Sequence, residues 1–472
     1  MIPSLLPLIV LAGTPVLVML VVAFVRNHTL TLVLTMTGLA AAFSLLFIAA
    51  STTPRSITSL LLIDRSAIFY TGLIVVASGT VALLAFSYLE KHGEDPDRFY
   101  LLLLLATVGS AVLVSSNHFA SFFLGLEILS VSLYALIAYY RRRSLSVEAA
   151  IKYLVLAGGS SAFLLFGMAL VYAGLGTLQF PRIAAALIQL GSCPVLALAG
   201  FGLLIVGIGF KLALVPFHLW TPDVYQGAPA PVTAFVATVS KGAMFALLQR
   251  YFASIDFSQS RVLWTIFAIM AAASMVAGNL LALRQNNIKR LLAYSSIAHL
   301  GYLLTAFLAG SPAAVGFYLV AYFVTTLGAF GVVTVLSTPE RETEALDEYR
   351  SLAWRRPFLA AVFAAMLLSL AGIPLTAGFI GKFYILSAGA GAGLWWLLIL
   401  LVVTSSVGLV YYLRVVFVLF GASAEPSSKA AFAPVSVVGV GTLSALTLLL
   451  LWLGIYPDPL SAFIQTALTG LR

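Results

Sequence analysis

The feature of this sequence that most limits its fold is a succession of long apolar stretches that follow one another along the whole chain. A helix needs roughly 20 predominantly apolar residues to cross the hydrocarbon core of a bilayer. We therefore predict an all-α membrane protein of about fourteen transmembrane helices, forming a single domain over residues 1–472. The predicted spans lie near residues 4–25, 30–50, 66–89, 98–115, 118–140, 147–173, 196–220, 229–252, 261–282, 287–308, 312–336, 357–387, 394–420 and 432–455.

Composition excludes a soluble fold for this chain. Charged residues make up only 9% of it and hydrophobic residues 62%, whereas a soluble domain carries roughly 25% charged residues. The net charge of +9 would suggest nucleic acid binding in a soluble protein. In a membrane protein, basic loop residues that set the topology explain such a charge. We therefore expect the lipid bilayer as the environment and no nucleic acid partner.

The basic residues of the loops predict the orientation of the chain. If the N-terminus is outside, 14 Lys and Arg residues fall in cytoplasmic loops and 6 on the outer side. The positive-inside rule then favours an even number of spans with both termini in the periplasm. The cytoplasmic set is Arg26, Lys91, Arg98, Arg141, Arg142, Arg143, Arg284, Lys289, Arg290, Arg341, Arg350, Arg355, Arg356 and Lys429, and the outer set is Arg55, Arg65, Arg182, Arg250, Arg261 and Arg472.

Two predicted spans contain helix-breaking residues near their middle, at about 207–216 and 372–381. Proline removes a backbone donor and glycine loosens the helix. Backbone groups freed at membrane depth are tolerated only inside the protein or along a watery cavity. The two breaks are five spans apart, and an odd offset reverses the direction of the chain. We therefore predict two inverted repeats of five helices each, over residues 98–252 and 261–420.

Charged side chains inside the predicted spans are the first candidates for function. Glu127 lies deep in its span, where a carboxylate cannot reach water and is costly unless paired, protonated or hydrated. Lys211 lies at the first break, Lys241 in mid-span, and Lys382 close after the second break. Burial disfavours an ammonium and a nearby carboxylate favours it, so a lysine between these effects can lose and regain a proton. The alternative for each lysine is a static salt bridge.

Other polar residues of the spans are weaker candidates. Lys152 lies near the cytoplasmic end of its span, where it can snorkel or pair with Glu148. His218 follows Lys211 by seven residues, which puts both on one face of a continuous helix. His299 is a candidate relay, because histidine titrates near neutral pH.

Three more polar residues complete the set. Tyr294 lies in the same span as His299 and is a possible member of the same path. Asp223 is interpreted as a helix-end or loop carboxylate. Arg414 falls inside a span, and the sequence does not indicate what pairs with it.

The sequence contains no recognisable cofactor motif. Cys193 is the only cysteine, so no intrachain disulfide, iron–sulfur cluster or zinc site of the usual Cys/His type is expected. No GxGxxG or P-loop pattern follows a strand, which argues against a nucleotide site. We therefore expect no cofactor and no metal in this chain.

Three stretches of the sequence resemble the antiporter-like subunits of respiratory complex I, a family related to Mrp-type cation/proton antiporters and to membrane-bound hydrogenases. They are GFKLALVPFHLWTPDVYQGAPAPVTAFVATVSKGA, NNIKRLLAYSSIAHLGYLL and LSLAGIPLTAGFIGKFYIL. Together with DEYRSLAWRRPFLAA they look most like the N-type subunits of bacterial NADH:quinone oxidoreductase. Lys382 fits the N-type pattern, because the M-type and Mrp D-type subunits resemble each other in carrying a glutamate there.

The resemblance implies a proton-translocating, non-redox subunit of a translocase in the bacterial inner membrane. Glu127 and Lys211 match a pair in that family, and its further proton-path positions match Lys152, Lys241, His299 and Lys382. NADH, FMN, iron–sulfur clusters and quinone are expected in other subunits. The implied partners are other membrane-arm subunits, including a neighbouring antiporter-like subunit and small membrane subunits.

Two alternatives remain open at this point. An Mrp-type or hydrogenase-associated cation/proton antiporter subunit would need oxygen ligands for Na⁺ or K⁺, since hard cations prefer them. Glu127 is the only deep carboxylate in the predicted spans, which argues against this alternative. A structural scaffold, with every buried charge in a fixed pair, is the second alternative.

Overall fold

The protein is a multi-pass bundle of long apolar helices in this computed structural model, which describes residues 2–53, 55–92, 95–190, 193–253, 261–338, 342–421 and 436–468. Arg341, Lys429 and Arg472, used above to predict the orientation, lie outside the described residues, as does the start of the last predicted span. Within the described residues, thirteen helices are long and apolar enough to cross a membrane.

The first half of the chain runs from α1 to α11. Its helices are α1 (Ile2–Phe24), α2 (His28–Ala50), α3 (Arg65–His92), α4 (Pro96–Val114), α5 (Phe119–Ile137), α6 (Ser144–Leu175), α7 (Phe180–Leu190), α8 (Val195–Leu212), α9 (Trp220–Gly227), α10 (Ala230–Phe235) and α11 (Lys241–Ala253), with a π-helical turn at Val236–Ser240. The strands Arg55–Ser56 and Leu62–Ile63 form a small antiparallel pair between α2 and α3.

The second half of the chain runs from α12 to α20. Its helices are α12 (Arg261–Ala282), α13 (Ile288–Leu308), α14 (Pro312–Leu336), α15 (Leu352–Arg355), α16 (Pro357–Ala371), α17 (Ala377–Gly391), α18 (Trp395–Phe420), α19 (Val437–Ile455) and α20 (Asp458–Leu468), with a 3₁₀ turn at Leu346–Tyr349. The thirteen long helices, together with the predicted span that is split into α16 and α17, confirm the prediction of about fourteen spans.

Local sequence signals set the ends of several long helices. The side chains of Asn27, Asn287, Ser311 and Ser436 each accept a hydrogen bond from a backbone N–H in the first turn of the helix that follows. Such residues satisfy donors that have no partner within the helix. Gly176, in the left-handed conformation with φ of 70°, ends α6.

The first break lies further along the chain than predicted. Helix α8 continues to Leu212 and ends with Ala213 in the left-handed conformation, and α9 begins only at Trp220. Gly207 lies inside the helix, where a Cβ atom would come within 2.1 Å of the Leu164 side chain of α6. This glycine therefore serves close packing of α8 on α6 and does not break the helix.

The second break is shorter and falls within the predicted region. Helix α16 ends at Ala371, Gly372 adopts φ of 89°, and α17 begins at Ala377. Lys382 is therefore a helical residue, just over one turn into α17. The assignment of the two inverted repeats to residues 98–252 and 261–420 stays a prediction.

Burial places the centre of the bundle at two spans. The span Ala230–Phe252, which comprises α10, the π-helical turn and most of α11, is wholly buried in its most apolar window, and so is α14. In contrast, only a third or less of the corresponding window is buried in α1, α2, α6 and α19, as expected of helices that face lipid or another subunit. Lys241 therefore lies on a span that neighbouring helices surround completely.

Candidate functional site

Lys211 occupies the last turn of α8, immediately before the first break. Its side chain is only 3% exposed. The ammonium Nζ donates hydrogen bonds to Ser130 Oγ on α5 at 3.0 Å and to Tyr153 OH on α6 at 2.9 Å. A cation at a helix C-terminus is also favoured by the helix dipole. Lys211 is therefore stabilised by neutral groups, each of which can also accept or return a proton.

Glu127 does not form the direct ion pair with Lys211 that the family resemblance implied. Within the described residues no ion pair joins them, and Glu127 Oε1 instead accepts a hydrogen bond from Ser161 at 2.5 Å. Ser130, one turn after Glu127 on α5, is the residue that contacts Lys211. Glu127 therefore lies about one helical turn from Ser130, the residue that contacts Lys211. Without a direct contact, its carboxylate can influence the Lys211 ammonium only by Coulomb attraction over a distance.

Glu127 also borders a cleft on the outside of the bundle. The cleft has a volume of about 530 Å³ and lies between α5 and α6, where apolar side chains such as Phe123 and Leu165 line it. Glu127 itself is half-buried. It therefore connects the buried interior with a face that a neighbouring chain or lipid can reach.

Lys241 begins α11, directly after the π-helical turn at Val236–Ser240. Its side chain is 1% exposed, and Nζ donates to Ser296 Oγ at 2.7 Å. The same Nζ lies 5.2 Å from the ring centroid of Tyr225, in cation–π geometry. Ser296 Oγ also hydrogen-bonds Tyr322 OH at 2.6 Å. π-Helical turns are frequent at functional sites, and this one directs Lys241 into a cluster of hydroxyls.

His299 lies one turn after Ser296 on α13. Its ring nitrogens hydrogen-bond two tyrosines, with Nδ1 at 2.7 Å from Tyr318 OH and Nε2 at 3.2 Å from Tyr412 OH. The Tyr302 ring centroid is 5.4 Å from that of the imidazole. The histidine is therefore placed between hydroxyl groups on both sides, as a relay requires.

Lys382 is the last residue of the row along the chain and lies in α17, just after the second break. Its Nζ donates to the backbone carbonyls of Leu370 and Ala371 at 2.9 and 2.8 Å, and to Ser405 Oγ at 2.7 Å. It also lies 5.4 Å from the ring centroid of Tyr302. Carbonyls at the end of a helix have no partner within it. This ammonium therefore caps the broken end of α16.

Four of the predicted site residues, Lys211, Lys241, His299 and Lys382, are buried and make up the row. Lys152 is not buried, because its side chain is 42% exposed and pairs with Glu148 at 2.7 Å, as the spacing of four residues predicts. The place of Lys152 in a proton path stays a prediction.

Asp223, interpreted from the sequence as a helix-end or loop carboxylate, forms ion pairs with two basic residues. It accepts from Lys152 at 2.8 Å and from Arg290 at 2.7 Å, and so ties α9 to α6 and α13. Burial raises the pKa of this carboxyl, but the two basic partners outweigh it and leave the pKa below its ordinary value. Its partners lie 71 and 67 residues away along the chain, so periodicity could not find them.

A second missed site is a buried ion pair between Lys289 and Glu342. Their charged atoms lie 2.5 Å apart, and neither side chain is more than 3% exposed. Lys289 also donates to the carbonyl of Ala228 at 2.6 Å, while Glu342 accepts from the backbone N–H of Ala230 at 2.7 Å and from Tyr88 OH. The interpretation of Lys289 as a loop charge that faces the cytoplasm is therefore corrected.

Two other basic residues found partners that the sequence did not indicate. Arg250, expected among the outer loop charges, is buried and forms a bidentate pair with Asp64 at 2.7 and 2.9 Å. Arg414 donates to the carbonyls of Leu283, at 3.0 Å, and Gln285, just beyond the C-terminus of α12. Arg414 therefore satisfies backbone acceptors at a helix end and has no role in the row.

Two remaining candidates lie apart from the row. His218 is buried within the first break, and since α8 ends at Leu212 it does not share a helical face with Lys211. Tyr294 is half-buried, and none of the hydrogen bonds of the described residues joins its hydroxyl to the row. In the described part of the chain, no group of three His, Cys, Asp or Glu side chains is placed to hold a metal ion.

Comparison with known proteins gives the following matches. Residues 116–408 match the family described as NADH:quinone oxidoreductase/Mrp antiporter, TM. A chain of respiratory complex I from Thermus thermophilus with bound aureothin is 36% identical, with 97% of this chain and 98% of that chain covered and a TM-score of 0.83.

Two further solved structures are similar over the whole chain. A chain of the membrane-bound sulfane sulfur reductase, an archaeal respiratory membrane complex, is 26% identical, with 100% of this chain and 97% of that chain covered and a TM-score of 0.85. A chain of the Mrp complex from Dietzia sp. DQ12-45-1b is 20% identical, with coverages of 100% and 98% and a TM-score of 0.87, and shows the fold alone.

Proposed function

This chain belongs to the NADH:quinone oxidoreductase/Mrp antiporter family, and from that premise we propose that it is the N-type, proton-translocating subunit of a respiratory complex I. The family and the thirteen long apolar helices make the chain a multi-pass membrane subunit of the cation/proton antiporter-like type. In our proposal, proton transfer is carried out by the buried row Lys211, Lys241, His299 and Lys382.

The proposal rests on one observation: the three lysines of the row have neutral partners. They contact hydroxyls, aromatic rings and backbone carbonyls, and within the described residues none of them forms an ion pair with a carboxylate. A lysine fixed by a buried carboxylate, as Lys289 is by Glu342, would leave an uncompensated charge if it lost its proton. A lysine held by neutral groups can be deprotonated without that penalty.

The contacts suggest an order for the transfer steps. A proton would enter from the end of the bundle that carries Arg141 to Arg143, reach Lys211 and pass to Lys241. From Lys241 the links are Ser296 and Tyr322, then His299, whose ring centroid is 5.7 Å from that of Tyr322. The ring of Tyr302 packs against both His299 and Lys382, and the proton would leave from Lys382 on the opposite side.

Glu127 would control the row from its edge. A charge on its carboxylate favours the ammonium form of Lys211 by Coulomb attraction, which is strong where water is scarce. Since Glu127 borders the outer cleft between α5 and α6, a charge on a neighbouring subunit seated there would change this attraction. That gives the chain a route for a coupling signal without an electron carrier of its own.

The proposal includes the setting of the subunit. Its partners would be other membrane-arm subunits, among them a second antiporter-like subunit and small membrane subunits, in a bacterial inner membrane with both termini in the periplasm. NADH, FMN, iron–sulfur clusters and quinone would be bound by other subunits, so this chain contributes to the enzyme as a translocase and not as a redox centre.

The test is proton pumping by the assembled complex in vesicles. Lys241→Ala is expected to lower the number of protons moved per NADH oxidised, because it removes the link between Lys211 and the Ser296 hydroxyl. Lys152→Ala is the matched control, since that lysine is exposed and outside the row. Normal pumping by the Lys241→Ala complex would refute the role of the row.

An Mrp-type or hydrogenase-associated antiporter subunit is the second candidate, because a chain of the archaeal sulfane sulfur reductase is also 26% identical. Such a function needs oxygen ligands for the cation, and Glu127 is the carboxylate at mid-span depth among the described residues. Purification of the chain with its native partners distinguishes the two: NADH-oxidising subunits support complex I, while Na⁺- or K⁺-dependent proton flux without them supports the antiporter.

A further inference from the structure

An apolar cavity of about 510 Å³ lies between α2, α3, α14, α19 and α20. Of the described residues that line it, only Thr80 and Trp452 have polar side-chain atoms. The Thr80 hydroxyl donates to the carbonyl of Val76 at 2.9 Å, so its hydrogen is not available to a ligand. The cavity is therefore suited to a hydrocarbon and not to a polar molecule or ordered water.

The cavity opens to the outside of the bundle. The side chains of Phe47, Val76 and Trp452 line it and are themselves exposed. The helices that carry them are long enough to cross a bilayer. Where no other subunit covers this face, the hydrocarbon of the bilayer surrounds the opening and is of the kind that the lining fits.

One residue that lines the cavity packs against the helix that carries Lys241. Phe323 of α14 lines the cavity and is 1% exposed. Its ring lies directly over Gly242, where a Cβ atom would come within 2.3 Å of the ring Cζ. Gly242 follows Lys241, so whatever fills the cavity supports the ring that packs beside this lysine.

Helix α3, which lines the cavity, carries a positive charge at its first residue. Arg65, the first residue of α3, is exposed. It lies four residues before Phe69 and seven before Gly72, both of which line the cavity, and these spacings put all three on one helical face. An anionic group at the membrane surface would be attracted to Arg65 while an attached chain extends along α3.

We propose that this cavity binds one acyl chain of an anionic phospholipid, with the phosphate of the headgroup next to Arg65. The bound chain fills the space behind Phe323 and keeps its ring against Gly242. The site is independent of the proposed proton transfer, because it is defined by apolar lining and one cation rather than by the buried row.

The test uses the full chain in vesicles of phosphatidylcholine that contain a small fraction of phosphatidylglycerol with a photoactivatable diazirine near the end of one acyl chain. After illumination, we expect labelled peptides from the parts of α3 and α14 that line the cavity, 68–80 and 320–327. An excess of unlabelled phosphatidylglycerol should compete with this labelling, whereas contact with bulk lipid does not saturate.

Two variants sharpen the test. Gly72→Trp places a large side chain in the cavity and should lower labelling of α14 at least about tenfold. Val131→Trp, on an exposed position of α5, is the matched control and should leave it unchanged. Arg65→Gln should reduce the preference for phosphatidylglycerol over a phosphatidylcholine probe.

Three results would overturn the proposal. Labelling of α14 that resists competition in the unchanged protein refutes a specific site, whether or not the variants fold. Equal labelling of the Gly72→Trp and Val131→Trp proteins refutes the cavity as its location. Equal labelling by the two lipid probes in the unchanged protein refutes the anionic headgroup at Arg65.

Discussion

The two broken helices each hold a buried lysine, and the two lysines relate differently to the broken backbone. Lys382 follows its break and reaches back to the carbonyls of Leu370 and Ala371. Lys211 precedes its break and points away from it, to hydroxyls on α5 and α6. One lysine therefore supports the broken chain, and the other only lies beside it.

The first break satisfies its backbone without a lysine. The carbonyl of Gly209 accepts from the N–H of Leu214 at 2.8 Å, and the carbonyl of Phe210 accepts from Trp220 Nε1 at 2.9 Å. Loss of the Lys211 side chain would leave these bonds intact, whereas loss of the Lys382 side chain would leave two carbonyls of α16 without their donor. A lysine at a helix break can therefore lie beside the broken backbone, or it can cap it.

The largest expected effect concerns the glycines that allow each helix to pass its neighbour. In Gly378→Ala the new Cβ would lie 1.9 Å from the backbone oxygen of Ser369, which cannot move aside. We expect a loss of about 3 kcal/mol or more in the free energy of unfolding, measured by denaturation in detergent micelles.

The matched variant in the first broken span is Gly207→Ala, inside α8. The atoms nearest to its Cβ would belong to the side chain of Leu164, which can change its rotamer, so we expect a loss of about 1–2 kcal/mol in the free energy of unfolding. If Gly207→Ala destabilised the protein more than Gly378→Ala, the contact at Gly378 would not be the tighter of the two.

Replacing Lys382 and Lys211 by alanine tests whether the two lysines support the broken backbone to different degrees. Lys382→Ala takes a donor from two buried carbonyls and should cost about 2–3 kcal/mol in unfolding free energy. Lys211→Ala removes a desolvated charge with neutral partners and should cost about 1 kcal/mol or less, while still abolishing proton pumping. Equal losses of stability in the two variants would contradict the assignment of Lys382 as a cap.

The tyrosines beside the two lysines should separate function from stability. Tyr153→Phe deletes the hydroxyl that accepts from Lys211 and should slow proton transfer in the assembled complex several-fold. Tyr302→Phe keeps the ring beside Lys382 but loses the hydrogen bond from Asn279 at 2.8 Å, so it should cost about 1 kcal/mol of stability with little effect on transfer. Reversal of this pattern in pumping assays would argue that the hydroxyl of Tyr302 carries the proton.

The smallest effect concerns Asp223, which anchors the far side of the first break. Asp223→Asn should cost about 1 kcal/mol or less at neutral pH, because the carboxylate is partly exposed to solvent. Its pKa is below the ordinary value of 3.8, so its contribution is complete above that pH and is lost as the pH falls through the lower value. The stabilities of the two proteins should therefore converge in acid, and a constant difference down to low pH would contradict the ion pairs.

Much of the architecture could be predicted from the sequence, because length and hydropathy are local properties. The number of spans, the presence of two broken helices and the family resemblance to antiporter-like subunits are confirmed. The exact place of the first break could not be predicted, because Gly207 marks close packing against Leu164 and resembles a breaker only in sequence.

Hydropathy is a property of the sequence alone, and it predicts which segments span the membrane. The lysines within those segments are therefore predicted to lie at membrane depth. The contacts of each lysine, in contrast, depend on the tertiary structure. Tyr153 lies 58 residues from Lys211, and Ser296 lies 55 from Lys241. Such contacts depend on which helices pack together and at what rotation. For that reason the sequence did not predict that Lys152 pairs with Asp223 as well as with Glu148, or that Lys382 caps the broken end of α16.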